Sequence, residues 1–127
     1  MDFSADAARL RSALSGLPDV TEGTSHGTPS WKVGKRMLAR LREPGVVVLP
    51  CVTEADKHLL IEAAPLIYFT VSHYDGYPLV LARMAMIEDD ELKHRLGFAW
   101  RALATPKNTP APGIRAVTSV TQRMFAP

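Results

Sequence analysis

Between Trp31 and Arg42 the residues alternate with a period of two, and this constrains the fold more than any other feature of the chain. Trp31, Val33, Met37, Ala39 and Leu41 share one parity, while Lys32, Arg40 and Arg42 fall on the other. A strand sends successive side chains to opposite faces. The stretch therefore reads as a half-buried hairpin with an apolar side against a core and a basic side in water. A two-residue loop would pair residues of opposite parity, so keeping Val33 and Met37 on one face predicts the three-residue loop Gly34-Lys35-Arg36.

The flanking sequence supplies the partners of this ribbon. Phe3, Ala7, Leu10, Leu14 and Leu17 recur at steps of three and four, the spacing of one helix face, with Ser4 as N-cap, Asp6 in the first turn, and Gly16 and Pro18 as the stop. Pro44-Gly45 marks a turn into Val46-Val47-Val48-Leu49, a continuous apolar run suited to a central strand covered on both faces. Thr53 to Asp56 resembles a capping box that opens a second helix with an apolar stripe at Ala55, Leu59, Leu60 and Ala63. Ile67–Thr70 and Leu79–Ala82 read as strands joined by the loop His73-Tyr74-Asp75-Gly76-Tyr77-Pro78. The acids Glu88 to Glu91 then open a third helix that buries Leu92, Leu96, Ala99 and Leu103, with Trp100 at its margin. The expected fold class is α+β, a mostly antiparallel sheet of four to six strands with helices packed against it.

Composition narrows the function classes. One cysteine, Cys51, excludes an internal disulfide and a cysteine-based zinc cluster and suits a reducing, cytoplasmic setting. No run approaches the roughly 18 apolar residues of a membrane span, and Asp2 and Asp6 stand where a secretory signal carries bases, so no membrane partner is expected. The 15 Lys and Arg nearly balance 13 Asp and Glu, so an electrostatic role must rest on clustering. After Thr105 the prolines Pro106, Pro110 and Pro112 with Gly113 forbid continuous helix. The reading is one domain over residues 1–107 and a Pro-rich tail over 108–127, with Val117, Val120, Met124 and Phe125 available to dock on the body or on a second copy as a homodimer.

Three segments resemble the MmcQ/YjbR family: Thr24-Ser25-His26-Gly27-Thr28-Pro29-Ser30-Trp31-Lys32-Val33-Gly34-Lys35, then His73-Tyr74-Asp75-Gly76-Tyr77-Pro78, then Trp100, in matching order and spacing. The resemblance runs from about residue 5 to residue 107. It implies a compact α+β fold similar to double-wing DNA-binding domains, and double-stranded DNA as partner. The family contributes no accepted catalytic residues, and the segment after Lys107 departs from its usual end.

The candidate nucleic-acid-binding residues are Lys32, Lys35, Arg36, Arg40 and Arg42, a run with no acid before Glu43. On a hairpin they form a wing that tracks phosphates; equally, they are a solvated sheet face guarding an edge. His26, His73, Tyr74 and Tyr77 are the candidate ligand-loop residues, their loops bordering a cleft; equally, the tyrosines pack the loop onto the domain and His26 bonds locally. Trp31 has the parity of the core. No HxxxH spacing unites the histidines, so no metal is expected, and neither a GxSxG elbow nor a GxxxxGK[ST] loop is present. No catalytic residue and no cofactor are assigned.

Overall fold

A computed structural model describes residues 1–104 of the chain. The tail over 108–127, with the dimer contact expected of it, lies outside the described residues. The element order is α1 (Ser4–Leu14), β1 (Val20–Ser25), β2 (Thr28–Val33), β3 (Arg36–Glu43), β4 (Val46–Pro50), α2 (Glu54–Ala63), β5 (Tyr68–Phe69), a 3₁₀ turn (Ser72–Tyr74), β6 (Leu79–Arg83) and α3 (Asp89–Ala104). The strands make one six-stranded sheet in the order β1-β2-β3-β4-β6-β5, every hydrogen-bonded pair antiparallel. Among the described residues no helix is long and apolar enough to cross a membrane.

Alternation decides which face is covered. Trp31, Val33, Ala39, Leu41, Val47, Leu49, Val80 and Ala82 project to one side, where they form a single core with Leu10 and Leu14 of α1 and Leu92, Leu96 and Ala99 of α3. The other side carries a smaller cluster, Val48 and Leu81 under Tyr74. β4 is therefore the doubly covered strand that its apolar run requires. Two side-chain staples hold α1 down. The Arg9 guanidinium donates to the carbonyls of Met84 and Ile87 and pairs with Asp89, and Asp6 accepts the Gly45 N–H at 2.7 Å. Trp100 donates its indole N–H to Pro18 O at 2.8 Å.

The hairpin between β2 and β3 departs from the three-residue loop. Val33 pairs with Arg36, so the turn is two residues, Gly34-Lys35, with Gly34 at φ 62 as type II′ turns require at their first position. Parity is restored by a bulge: Lys32 pairs with Met37 but Trp31 with Ala39, which makes Leu38 the extra residue. Leu38 enters the core, and Met37 moves to the other face.

Two further expectations give way. The small polar segment before β2 holds a strand, β1, paired with all of β2 through a tight turn. In α2, Thr53 does cap the helix, its hydroxyl accepting Asp56 N–H at 3.1 Å. The stripe Ala55, Leu59, Leu60, Ala63 is not the buried one, however: Leu59 is 61% exposed. The inward residues are Lys57, Leu60, Ile61 and Ala64, rotated about the helix axis from the expected phase.

Candidate functional site

The uncovered part of the sheet begins at the β1–β2 turn. His26 (φ 54) and Gly27 (φ 79) occupy its two central positions, the pattern of a type I′ turn, and Thr28 Oγ1 donates to Ser25 O at 3.1 Å. A non-glycine residue with positive φ is uncommon, though histidine is among those that tolerate it. The turn thus holds the His26 imidazole at the edge of the open face.

β3 supplies the charges. Arg40 pairs with Ser30 and Val48 in register, on the face away from α1 and α3, and Arg42 follows it past a second irregularity at Leu41–Glu43. Arg40 Nε donates to Ser25 O and to Thr28 Oγ1, both at 3.2 Å, and its Nη1 donates to Tyr74 Oη at 3.3 Å. Every acceptor is neutral. Among the described residues Arg40 forms no ion pair, so its charge stays available to an anion. Arg42 pairs with Glu43 at 2.9 Å on the surface.

The facing wall is the loop 72–77. Tyr74 is 8% exposed and lies over Val48 and Leu81, with the His73 ring edge-on at 4.9 Å, whereas Tyr77 is 59% exposed. The packing role expected of both tyrosines therefore belongs to Tyr74 alone. The loop is fixed from below by a residue with no signal in the sequence. Lys57 of α2 is 1% exposed and donates its Nζ to Tyr74 O at 2.6 Å and Tyr77 O at 3.1 Å. From the same helix, Glu54 accepts Gly76 N–H at 3.0 Å. A buried cation is tolerated only where carbonyls or carboxylates replace its water, and the loop carbonyls do so here.

Between these walls lies an open cleft of about 450 Å³ lined by Ser25, His26, Met37, Arg40, Arg42, His73, Tyr74 and Leu79. No carboxylate lines it. The structure thus brings together three of the four ligand-loop residues and two of the five basic ones. Lys32 stands on the same sheet face beside it, exposed, and Lys35 sits at the turn. Arg36 opposes Val33 and leaves from the helix-covered side. The five cations are therefore one cleft pair, two outlying lysines and one arginine turned away, not a single ridge. Among the described residues no three His, Cys, Asp or Glu side chains gather as a metal site.

An α+β domain with helices on one side of a six-stranded antiparallel sheet and a cationic cleft on the other is the class that these features define. The YjbR family model matches residues 15–102, and the chain belongs to that family, also called MmcQ/YjbR. Uncharacterised proteins of Mycobacterium tuberculosis (strain H37Rv) and Mycobacterium bovis are 34% identical to it over 113 aligned residues, covering 75% of this chain and 83% of each relative. No solved structure matches the chain.

Proposed function

We propose that this domain binds double-stranded DNA through its phosphate backbone, without catalysis, on the open face of the sheet. The observation that carries the reading is that Arg40 and Arg42 line a carboxylate-free cleft with His26 and His73 while Lys32 and Lys35 extend the same charge toward the hairpin tip. Guanidinium and ammonium groups so placed meet successive phosphates, a contact that positions a duplex without reading its sequence. The family resemblance and the single cysteine accord with this role and with a cytoplasmic setting.

Three to four phosphates neutralised give a slope of about −3 in log affinity against log salt, so raising salt from 50 to 200 mM weakens binding roughly 60-fold. Fluorescence anisotropy on a mixed-sequence duplex measures it. Lys32→Ala and Arg42→Ala should each reduce the slope by about 1. Binding indifferent to salt sinks the proposal.

A second reading is favoured by one observation, the size and concavity of the cleft between the His26 and His73–Tyr77 loops. A volume of about 450 Å³ suits a small anionic ligand. In that case inorganic phosphate or a mononucleotide saturates the site with a slope near −1, and duplex length has no effect.

A further inference from the structure

The α2 stripe that the sequence marks as apolar is left uncovered by the described residues. Leu59, Leu60 and Ala63 form one wall of a groove of about 310 Å³ whose other wall is Phe98 of α3. Three large apolar side chains at this groove stand in water: Leu59 at 61%, Val52 at 54% and Phe98 at 46% exposure. A smaller hollow of about 30 Å³ shares Pro50, Cys51, Val52 and Phe98 with the groove and continues it along α3 to Ala102 and Leu103. The combined groove thus ends one residue short of Ala104, where α3 itself ends.

We infer that this groove between α2 and α3 is the seat of the chain's own residues 105–127, docked within the same molecule. The segment starts at the mouth of the groove, and its composition fits. Ile114, Val117, Val120 and Met124 recur at steps of three and four, the spacing with which a short amphipathic stretch fills an apolar groove. Its charges are Lys107, Arg115 and Arg123 without a single acid, whereas the α2 wall carries Asp56, with Glu62 one turn from Leu59. The stretch Thr105–Gly113, broken by Pro106, Pro110 and Pro112, spans up to about 30 Å when extended. That is ample to turn back across a helix about 10 Å wide. Tethering by so short a linker gives an effective concentration in the millimolar range, which favours the chain's own segment over a second copy in dilute solution.

Cys51 lines both hollows and is the chain's one thiol, so its accessibility reports whether the groove is covered. The test labels full-length protein with N-ethylmaleimide at fixed pH and compares it with the triple variant Val117→Asp, Val120→Asp, Met124→Asp. Labelling should be at least tenfold faster in the variant, and likewise in Leu59→Asp, which alters the groove wall at an exposed position. Circular dichroism confirms that both remain folded. Protection in the parent should persist on 100-fold dilution with a monomer mass by light scattering. Equal rates in parent and triple variant overturn the inference, as does protection that survives in the triple variant, which would place a different occupant in the groove. Protection that fades on dilution, with a dimer mass, assigns the groove to a second copy and overturns docking within one molecule.

Discussion

Replacing Lys57 with Met isolates the one buried cation from the surface charges. Methionine keeps most of the length and apolar stem but leaves the carbonyls of Tyr74 and Tyr77 without the donor they share at 2.6 and 3.1 Å. Hydrogen bonds from a charged group contribute about 1.5–3 kcal/mol each. Against this, the substitution removes the cost of keeping an ammonium out of water, several kcal/mol before compensation. The difference should be a loss of about 2 kcal/mol, or a melting temperature lower by about 8 °C for a domain of this size. Urea denaturation gives the stability. The consequence for function follows from position: loop 72–77 forms one wall of the cleft, so duplex affinity should drop although Lys57 itself cannot reach DNA. The isoelectric control is Lys57→Arg, which retains charge but overfills the site. Unchanged stability and unchanged affinity in Lys57→Met would refute the argument that α2 fixes the cleft through this side chain.

Three other substitutions or conditions separate structure from recognition. Arg40→Met removes three links between the β1–β2 turn and Tyr74 and should cost about 1–2 kcal/mol as well as affinity, whereas Arg42→Met loses only a surface pair worth about 0–1 kcal/mol and should lower affinity alone; thermal melts beside binding curves show the contrast. His26→Gly relieves a positive φ of 54 and should leave stability unchanged or raised by up to about 1 kcal/mol while weakening DNA binding, so loss of stability would show that the ring packs structurally. Burial, and then the nearby Asp56, push the Cys51 thiol from 9.0 up to about 11. The folded state therefore holds this proton more tightly than the unfolded one, and the contribution is complete below pH 9 and lost as pH rises through 11. Alkaline unfolding followed by circular dichroism should shift to higher pH in Cys51→Ala.

The sheet was legible where alternation and helical spacing were strong. β2, β3, β4 and β6, α1 and α3 stand close to where periodicity places them, because each has one face that must leave water. β1 was hidden because an edge strand with one solvated side needs few apolar residues, and Thr21, Glu22, Gly23 and Thr24 are all exposed. The β2–β3 turn was misread because parity was assumed unbroken; a bulge at Leu38 allows a two-residue turn and a fixed core face together. In α2 two phases compete, one through Leu59 and one through Ile61, and local pattern cannot rank them. The decision comes from Lys57 finding two carbonyls in a loop 17 and 20 residues away, a contact that no short-range rule encodes.

The same long-range closure explains why two features that look separate in the sequence become one. The basic hairpin and the histidine loops were each assignable to a function of their own, yet Arg40 bonds to both the β1–β2 turn and Tyr74. An arginine held by neutral oxygens at 3.2–3.3 Å is oriented without being discharged, since long bonds to carbonyl and hydroxyl acceptors compensate little of its field. Removing a carboxylate partner from a buried arginine is normally costly; here half-exposure to the cleft supplies the missing solvation by water, and an anion entering the cleft replaces that water. The positive potential therefore peaks inside the concavity and not at the hairpin tip. It follows that Arg40, which the alternation ranks as one of five equivalent cations, is the residue on which recognition and the shape of the site both turn.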